Sequence, residues 1–290
     1  MPEFFRFEAR TENLAPAMRA DRFVTEFAAK HPDFYEDKGL DWPAQLHDNA
    51  LGLLDPAKLE AIPGFPAFSE ARFHMVADMI DKGFAAAQTG FLATFPDFRC
   101  EAVIAFGPSF LRFDGHGKTD TQGQWHMLFG VDAISLEHGP EDMPVMFGHE
   151  LFHIYHRQLM GAAARELDNV TWWTMWEEGL ATYTSQRLNP SFGARQVLYF
   201  PQDIVQKMQA KGAVAHAAKL MLADFDKSDG LWFDTGRSAP GLPPRAGYYM
   251  GYLLASDLGR DHNLNWLARL SPDQVKRRVH AFLEAQSKAG

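Results

Sequence analysis

The pentapeptide His149-Glu150-Leu151-Phe152-His153 has the residue types and the spacing that zinc-dependent hydrolysis requires. Residues four apart lie on one face of an α-helix, about 6 Å apart along its axis, so both imidazoles can reach one ion. A zinc ion lowers the pKa of the water it binds, and the carboxylate of Glu150 can take the proton of that water. The pattern predicts that His149 and His153 bind one Zn²⁺ and that Glu150 is the general base.

The sequence around this pentapeptide favours a buried site over a solvated helix face. Met146-Phe147-Gly148 precedes it and Ile154-Tyr155 follows it, and neither flank carries a charge. Imidazole and carboxylate groups in an apolar setting need partners that offset the cost of burial, and a metal ion is such a partner.

Two histidines leave a zinc site incomplete, because catalytic sites generally use three protein ligands and one water. A metzincin-type site is excluded, since His156 and Leu159 stand where that class has a glycine and its third histidine. His156 could be a further ligand or could hydrogen-bond to one, but a packed or hydrogen-bonded side chain is favoured, because one straight helix cannot easily bring three successive turns to a single ion. The downstream segment WEEGLATY contains the adjacent carboxylates Glu177 and Glu178. These point about 100° apart on a helix, so only one of them can face the ion.

The segments HELFH and EEGLATY together resemble the gluzincin clan of zinc peptidases, whose second helix carries a glutamate ligand followed by glycine, an apolar residue and alanine. The resemblance implies that Glu178, directly before Gly179, is the third metal ligand. The twenty-four residues between His153 and Glu178 make a longer connection than in the best-known aminopeptidases of that clan. The difference is consistent with an extended loop near residues 161–169.

A third segment, Arg245-Ala246-Gly247-Tyr248-Tyr249-Met250-Gly251-Tyr252, extends the resemblance. The order of the three segments over about 145–255 is similar to a bacterial family of predicted zinc-dependent proteases, which implies a peptidase. A tyrosine hydroxyl or an arginine can stabilise the oxyanion formed during hydrolysis. Tyr248 and Arg245 are the predicted catalytic residues here, with Tyr249 as an alternative. Tyrosines at this spacing are also often core residues with a hydrogen-bonded hydroxyl.

The hydrophobic pattern predicts a helix-rich α+β fold that positions these residues. The resemblance to gluzincins implies a zincin-like architecture, with a small mixed sheet in an N-terminal lobe, a helical C-terminal lobe and the active-site cleft between them. The predicted parts of this one catalytic unit are 1–95, 96–158 and 159–290. Helices are predicted for Asp21–Lys30, Asp55–Glu60 and Ser69–Thr94, and near 144–160, 171–188, 202–225, 245–259 and 271–286.

Two strands and a turn are predicted between these helical regions. The apolar runs Glu101–Phe106 and Met127–Leu136 are typical of buried strands, and Asp114–Gly123 is rich in turn residues. By resemblance to zincins, Gly130–Ser135 is expected to be an edge strand that pairs with an extended substrate backbone.

Composition limits the partners of the chain. A net charge of −9 argues against nucleic acid, and the single cysteine, Cys100, excludes an internal disulfide and a cysteine-only metal site. No apolar run is long enough for a transmembrane helix, and the N-terminus lacks a signal-peptide pattern. The expected location is the cytoplasm, or outside it if a signal peptide is missing from this sequence.

The predicted function is therefore a zinc peptidase that uses one Zn²⁺ and acts on a peptide or protein substrate. Two alternatives are an inactive peptidase-like binding or regulatory protein, and a zinc hydrolase that acts on a non-peptide amide or ester. The motifs do not determine whether the protein is an endopeptidase or an exopeptidase. They also do not determine its side-chain preference or its oligomeric state.

Overall fold

The computed structural model describes residues 1–35, 42–54, 68–120, 122–161, 166–199, 203–228 and 230–289, without the side chains of 42–44. These residues are mainly helical and include one three-stranded mixed sheet, which confirms the predicted helix-rich fold with a small mixed sheet. The chain groups into two compact units, Met1–Lys82 with Glu101–Met143, and Gly83–Cys100 with Pro144–Gly290. The division into 1–95, 96–158 and 159–290 stays a prediction, and the helix predicted for Asp55–Glu60 lies outside the described residues.

The first unit begins with short helices that surround an aromatic core. A proline occupies the first turn of α1 and of α2, where its missing N–H costs no hydrogen bond. The helix predicted for Asp21–Lys30 is confirmed as the end of α2 followed by a π-helical and a 3₁₀ turn. The elements are α1 (Pro2–Thr11), α2 (Pro16–Arg22), the turns Phe23–Phe27 and Ala28–Lys30, α3 (Pro32–Tyr35), α4 (Trp42–Leu54) and α5 (Glu70–Thr94).

The sheet of the first unit contains β1 (Val103–Gly107), β2 (Gly115–Thr119) and β3 (Trp125–Gly130) in the order β1-β3-β2. β1 runs parallel to β3 and β2 runs antiparallel to it. β1 confirms the strand predicted at Glu101–Phe106. The turn prediction for Asp114–Gly123 is wrong over β2, because pairing with buried β3 makes a strand of residues that have little strand propensity of their own.

The strand predicted for Met127–Leu136 ends at Gly130, and Val131–Glu137 forms a helix, α6. The assignment of Gly130–Ser135 as an edge strand for substrate is therefore wrong, and β3 itself is the central strand of the sheet. Every residue from Val131 to Leu136 is buried. A short apolar run does not distinguish a buried strand from a buried helix, which explains the error.

Asp132 of α6 organises the loop between β1 and β2. Its buried carboxylate accepts hydrogen bonds from the backbone N–H of Ser109 at 2.6 Å and of Leu111 at 2.7 Å. Phe110 and Leu111 have φ angles of 57° and 60°, in the left-handed region that non-glycine residues rarely adopt. The carboxylate therefore holds a strained backbone in place.

Replacement of Asp132 by alanine should lower the free energy of unfolding by about 2–4 kcal/mol, because buried N–H donors lose their acceptor. Asp132→Asn keeps one acceptor oxygen and should lose less. Urea denaturation measures the free energy of unfolding of both variants. The control is Asp78→Ala, which changes an exposed residue of α5. Equal stability of Asp132→Ala and Asp78→Ala would contradict this role.

The second unit consists of helices. Those predicted near 144–160, 171–188, 245–259 and 271–286 are confirmed, whereas the one predicted at 202–225 is two helices, interrupted before Gly212, which has a φ of 81°. They are α7 (Met143–Met160), α8 (Thr171–Leu188), α9 (Ala194–Val197), α10 (Ile204–Met208), α11 (Ala213–Ala223), α12 (Ala246–Leu258), α13 (Leu264–Ala268) and α14 (Pro272–Lys288), together with the end of α5.

Aromatic packing and hydrogen bonds in the core of this unit hold α7 in position. The buried ring of Tyr155 packs against Phe91 and Phe95, and its hydroxyl donates to Asp97 Oδ1 at 3.0 Å. Arg269 donates to the other oxygen of Asp97 at 2.6 Å. α7 is thus held in place at Tyr155, both by aromatic packing and by hydrogen bonding.

Among the described residues, we find no helix with the length and hydrophobicity needed to cross a bilayer.

Candidate metal centre

α7 places His149 and His153 side by side within the second unit. Their spacing of four residues puts both on one helix face, where the ring centroids lie 4.7 Å apart and the two Nε2 atoms 3.0 Å apart. The neighbouring residues Phe147, Leu151 and Phe152 are fully buried. The apolar flanks therefore anchor the helix while the two imidazoles share one edge of it.

α8 brings Glu178 to the same point. Its Oε2 lies 3.2 Å from the Nε2 of His149 and 3.5 Å from that of His153. The ligand atoms of the three side chains all lie within 4.8 Å of one another, and each side chain is 17–19% exposed. The two helices are joined beside the site by the hydroxyl of Ser185, which donates to the carbonyl of Val145 at 2.6 Å.

These three residues fit a zinc ion. Two imidazole nitrogens and one carboxylate oxygen form a donor set typical of catalytic zinc. Oε2 of Glu178 is buried and has no hydrogen-bond partner among the described residues, although both Nε2 atoms lie within 3.5 Å of it. A cation would satisfy this oxygen and both nitrogens at once.

His149 and Glu178 are in the protonation state that a metal ligand needs, whereas His153 would have to release a proton to bind an ion. Burial lowers the pKa of His149, so its ring nitrogen is available as a ligand at neutral pH. Burial acts in the same direction on His153, but the charges of Glu178, Glu150 and Glu177 raise its pKa to about 10. Burial acts to raise the pKa of Glu178, yet the two imidazoles hold it well below its ordinary value. Glu178 is therefore ionised in the absence of metal.

The two adjacent glutamates of α8 face different partners. Glu178 lies with His149 and His153, whereas Oε1 of Glu177 lies 3.6 Å from the Nδ1 of His156. Glu150 is half-buried on α7, close enough to His153 for its charge to raise the pKa of that imidazole. Glu150 is thus a second carboxylate near His153 that is not one of the three grouped side chains.

α12 brings Tyr248 to the site. Its ring lies nearly parallel to that of His149, with centroids 6.4 Å apart. Burial, followed by the charge of Glu178, raises the pKa of Tyr248, so the hydroxyl keeps its proton at neutral pH. Tyr249 is directed elsewhere, since its hydroxyl neighbours Gln209 at the end of α10. Of the two tyrosines, only Tyr248 approaches the histidines.

Arg245 supports Tyr248 from the start of α12. Its guanidinium carbon lies 4.1 Å from the ring centroid of Tyr248 and 5.5 Å from that of Tyr199. The backbone of Arg245 has a φ of 58°, which is costly for a residue with a side chain. Tyr199 was not predicted from the sequence, because it lies after α9 in a segment without a recognisable motif.

Close packing of two glycines positions the helix that carries Glu178. Gly179 of α8 faces Gly251 of α12, and a Cβ atom on either residue would overlap the backbone of the other helix. The backbones of α8 and α12 therefore approach one another directly beside the ligand residue. This approach also sets the distance from Tyr248 to Glu178, since α12 carries the tyrosine.

Replacement of Gly251 by alanine should push α12 away from α8 and lower the free energy of unfolding by about 1–3 kcal/mol. It should also weaken the binding of any zinc ion that Glu178 helps to hold. Gly90→Ala on α5 is the matched control, because a Cβ there meets nothing within 4 Å. It should be neutral or stabilise by up to about 1 kcal/mol. Thermal unfolding and a zinc competition titration measure the stability and the zinc affinity of the two variants. If Gly251→Ala were as stable as Gly90→Ala, this packing role would be excluded.

The first unit contains a second grouping of possible ligands, Asp114, Glu137 and His138. Nε2 of His138 lies 2.8 Å from Oδ2 of Asp114, and the backbone N–H of Gly115 donates to Oδ1 at 2.8 Å. Hydrogen bonds account for the contacts of Asp114 and His138.

Searches against protein-family models, curated proteins and solved structures find no match to this chain. The resemblance to gluzincins and to a bacterial protease family stays a prediction from the three sequence motifs.

Proposed function

We propose that this protein is a zinc-dependent peptidase whose ion is bound by His149, His153 and Glu178. The observation that carries the proposal is the convergence of these three side chains, from two helices, on one half-buried point. Two further functional groups interact with these side chains: the charge of the Glu150 carboxylate acts on His153, and the hydroxyl of Tyr248 interacts with Glu178. Such ligands, together with a general base and a hydrogen-bond donor for the oxyanion, are a combination suited to zinc-dependent hydrolysis.

A zinc ion held by these ligands would polarise the scissile carbonyl and increase the acidity of a water molecule. Glu150 takes a proton from the attacking water and transfers it to the departing amine. Tyr248 donates its hydroxyl hydrogen to the oxyanion that develops on the carbonyl. Arg245 holds the Tyr248 ring through a cation–π contact and adds positive charge on that side of the site.

Metal analysis and peptide digestion test the proposal together. The wild-type protein should contain about one zinc per chain and cleave members of a peptide library. Glu150→Gln should keep the zinc and lose at least about 10³-fold in kcat, because it removes the base without removing a ligand. Glu178→Gln should lose zinc and activity together.

The control is Glu166→Gln, which changes an exposed carboxylate of the same unit and should behave as wild type. Full activity of Glu150→Gln would rule out this mechanism. Stoichiometric zinc without cleavage of any peptide would favour a binding protein, or hydrolysis of another amide or ester.

Tyr248→Phe tests the oxyanion role separately. It should reduce kcat by about 10²–10³-fold, because the hydroxyl hydrogen bond matters most in the transition state. The KM and the zinc content should change little. Tyr249→Phe is the matched control, since that hydroxyl neighbours Gln209 and not the histidines. A rise in KM at constant kcat in Tyr248→Phe would assign the hydroxyl to substrate binding instead.

A further inference from the structure

His156 is a buried polar side chain that the proposed mechanism does not use. It is fully buried, and neither ring nitrogen has a hydrogen-bond partner among the described residues. Its imidazole lies between two aromatic rings, with centroids 5.5 Å from Phe152 and 5.4 Å from Trp173 and interplanar angles of 20° and 16°. A polar group that remains at such a place despite the cost of burial requires an explanation.

One carboxylate explains the position of His156. Oε1 of Glu177 lies 3.6 Å from its Nδ1, within the range of an ion pair although too long for a good hydrogen bond. Glu177 belongs to α8, and so does Trp173. The imidazole therefore contacts α8 twice, through its face and through its edge.

The two glutamates thus make two cross-helix contacts, one beside the other. On α7, His149, His153 and His156 are spaced by four and then three residues, so they form one stripe along the helix. On α8, Glu178 meets the first two histidines and Glu177 meets the third. Because consecutive side chains move together when a helix rotates, a contact that holds Glu177 also sets the direction of Glu178.

We propose that His156 and Glu177 are a pair of positioning residues that select Glu178 as the metal ligand. The pair limits the rotation of α8 and keeps the Glu177 carboxylate directed at His156, so that it does not compete for the ion. Neither residue touches the reacting atoms. This inference rests on the proposed zinc site but not on the identity of the substrate.

Zinc affinity of the purified protein, measured by competition with a chromogenic chelator, tests the pair without any substrate. His156→Phe keeps a flat ring between Phe152 and Trp173 but removes both nitrogens, and Glu177→Gln removes the charge. Each should weaken zinc binding by about 10–100-fold, as is typical when a residue that orients metal ligands is lost. The double variant should be little weaker than either single variant, because both remove the same contact.

The exposed pair His280–Glu284 on α14, whose atoms lie 3.9 Å apart, provides matched controls in His280→Phe and Glu284→Gln. These should bind zinc as the wild type does. The visible spectrum of the cobalt-substituted protein should change in His156→Phe and Glu177→Gln, because the geometry of the ligands changes. A purely structural role would lower the melting temperature and leave both the affinity and the spectrum unaltered.

Affinities of both variants within about threefold of wild type, with unchanged cobalt spectra, would overturn the proposal. If His156→Phe fails to fold, Glu177→Gln at its half-buried residue decides the question alone. Weakened zinc binding in a protein that cleaves no peptide would support the positioning pair while contradicting the peptidase. Peptide cleavage by the wild type, with unaltered zinc affinity in both variants, would support the peptidase and contradict the positioning pair.

Discussion

The structure of the second unit depends on a charged contact between two buried helices, in which Glu178 lies against His149 and His153. Burying a carboxylate is unfavourable unless opposite charge or a cation compensates for it. The surrounding packing holds the carboxylate of Glu178 beside the imidazoles of His149 and His153, which can compensate for its burial. Gly179 and Gly251 let α8 and α12 approach closely, and Ser185 ties α8 to α7. Removal of any of these contacts would move the carboxylate relative to the imidazoles.

Around this contact the structure holds other groups at an energetic cost, as functional sites commonly do. Arg245 adopts a left-handed backbone conformation and carries its guanidinium over Tyr248. His156 is buried with no hydrogen bond to a described residue. Arg245 contacts the tyrosine whose ring faces His149, and His156 lies beside Glu177, the neighbour of Glu178. A fold optimised for stability alone would favour apolar residues at such places.

The local parts of the site followed from the sequence, whereas elements that depend on distant partners did not. The α7 and α8 helices were predicted from the sequence, although α8 is buried on most sides and has no clear amphipathic pattern. The spacing of His149 and His153 then places both on one face of α7. α6 was predicted as a strand, because its run of apolar residues suits either a buried strand or a buried helix. β2 was predicted as a turn, because its strand conformation comes from pairing with β3.

The sequence by itself indicated that His149 and His153 can bind a metal ion from one helix, because residues four apart lie on the same face of an α-helix. It also limited the third ligand to Glu177 or Glu178, and by resemblance favoured Glu178. Only the tertiary structure decided which carboxylate lies beside His149 and His153, and that Tyr248 approaches them while Tyr249 does not. These choices depend on the rotation of α8 and α12, which is set by contacts between residues far apart in the chain.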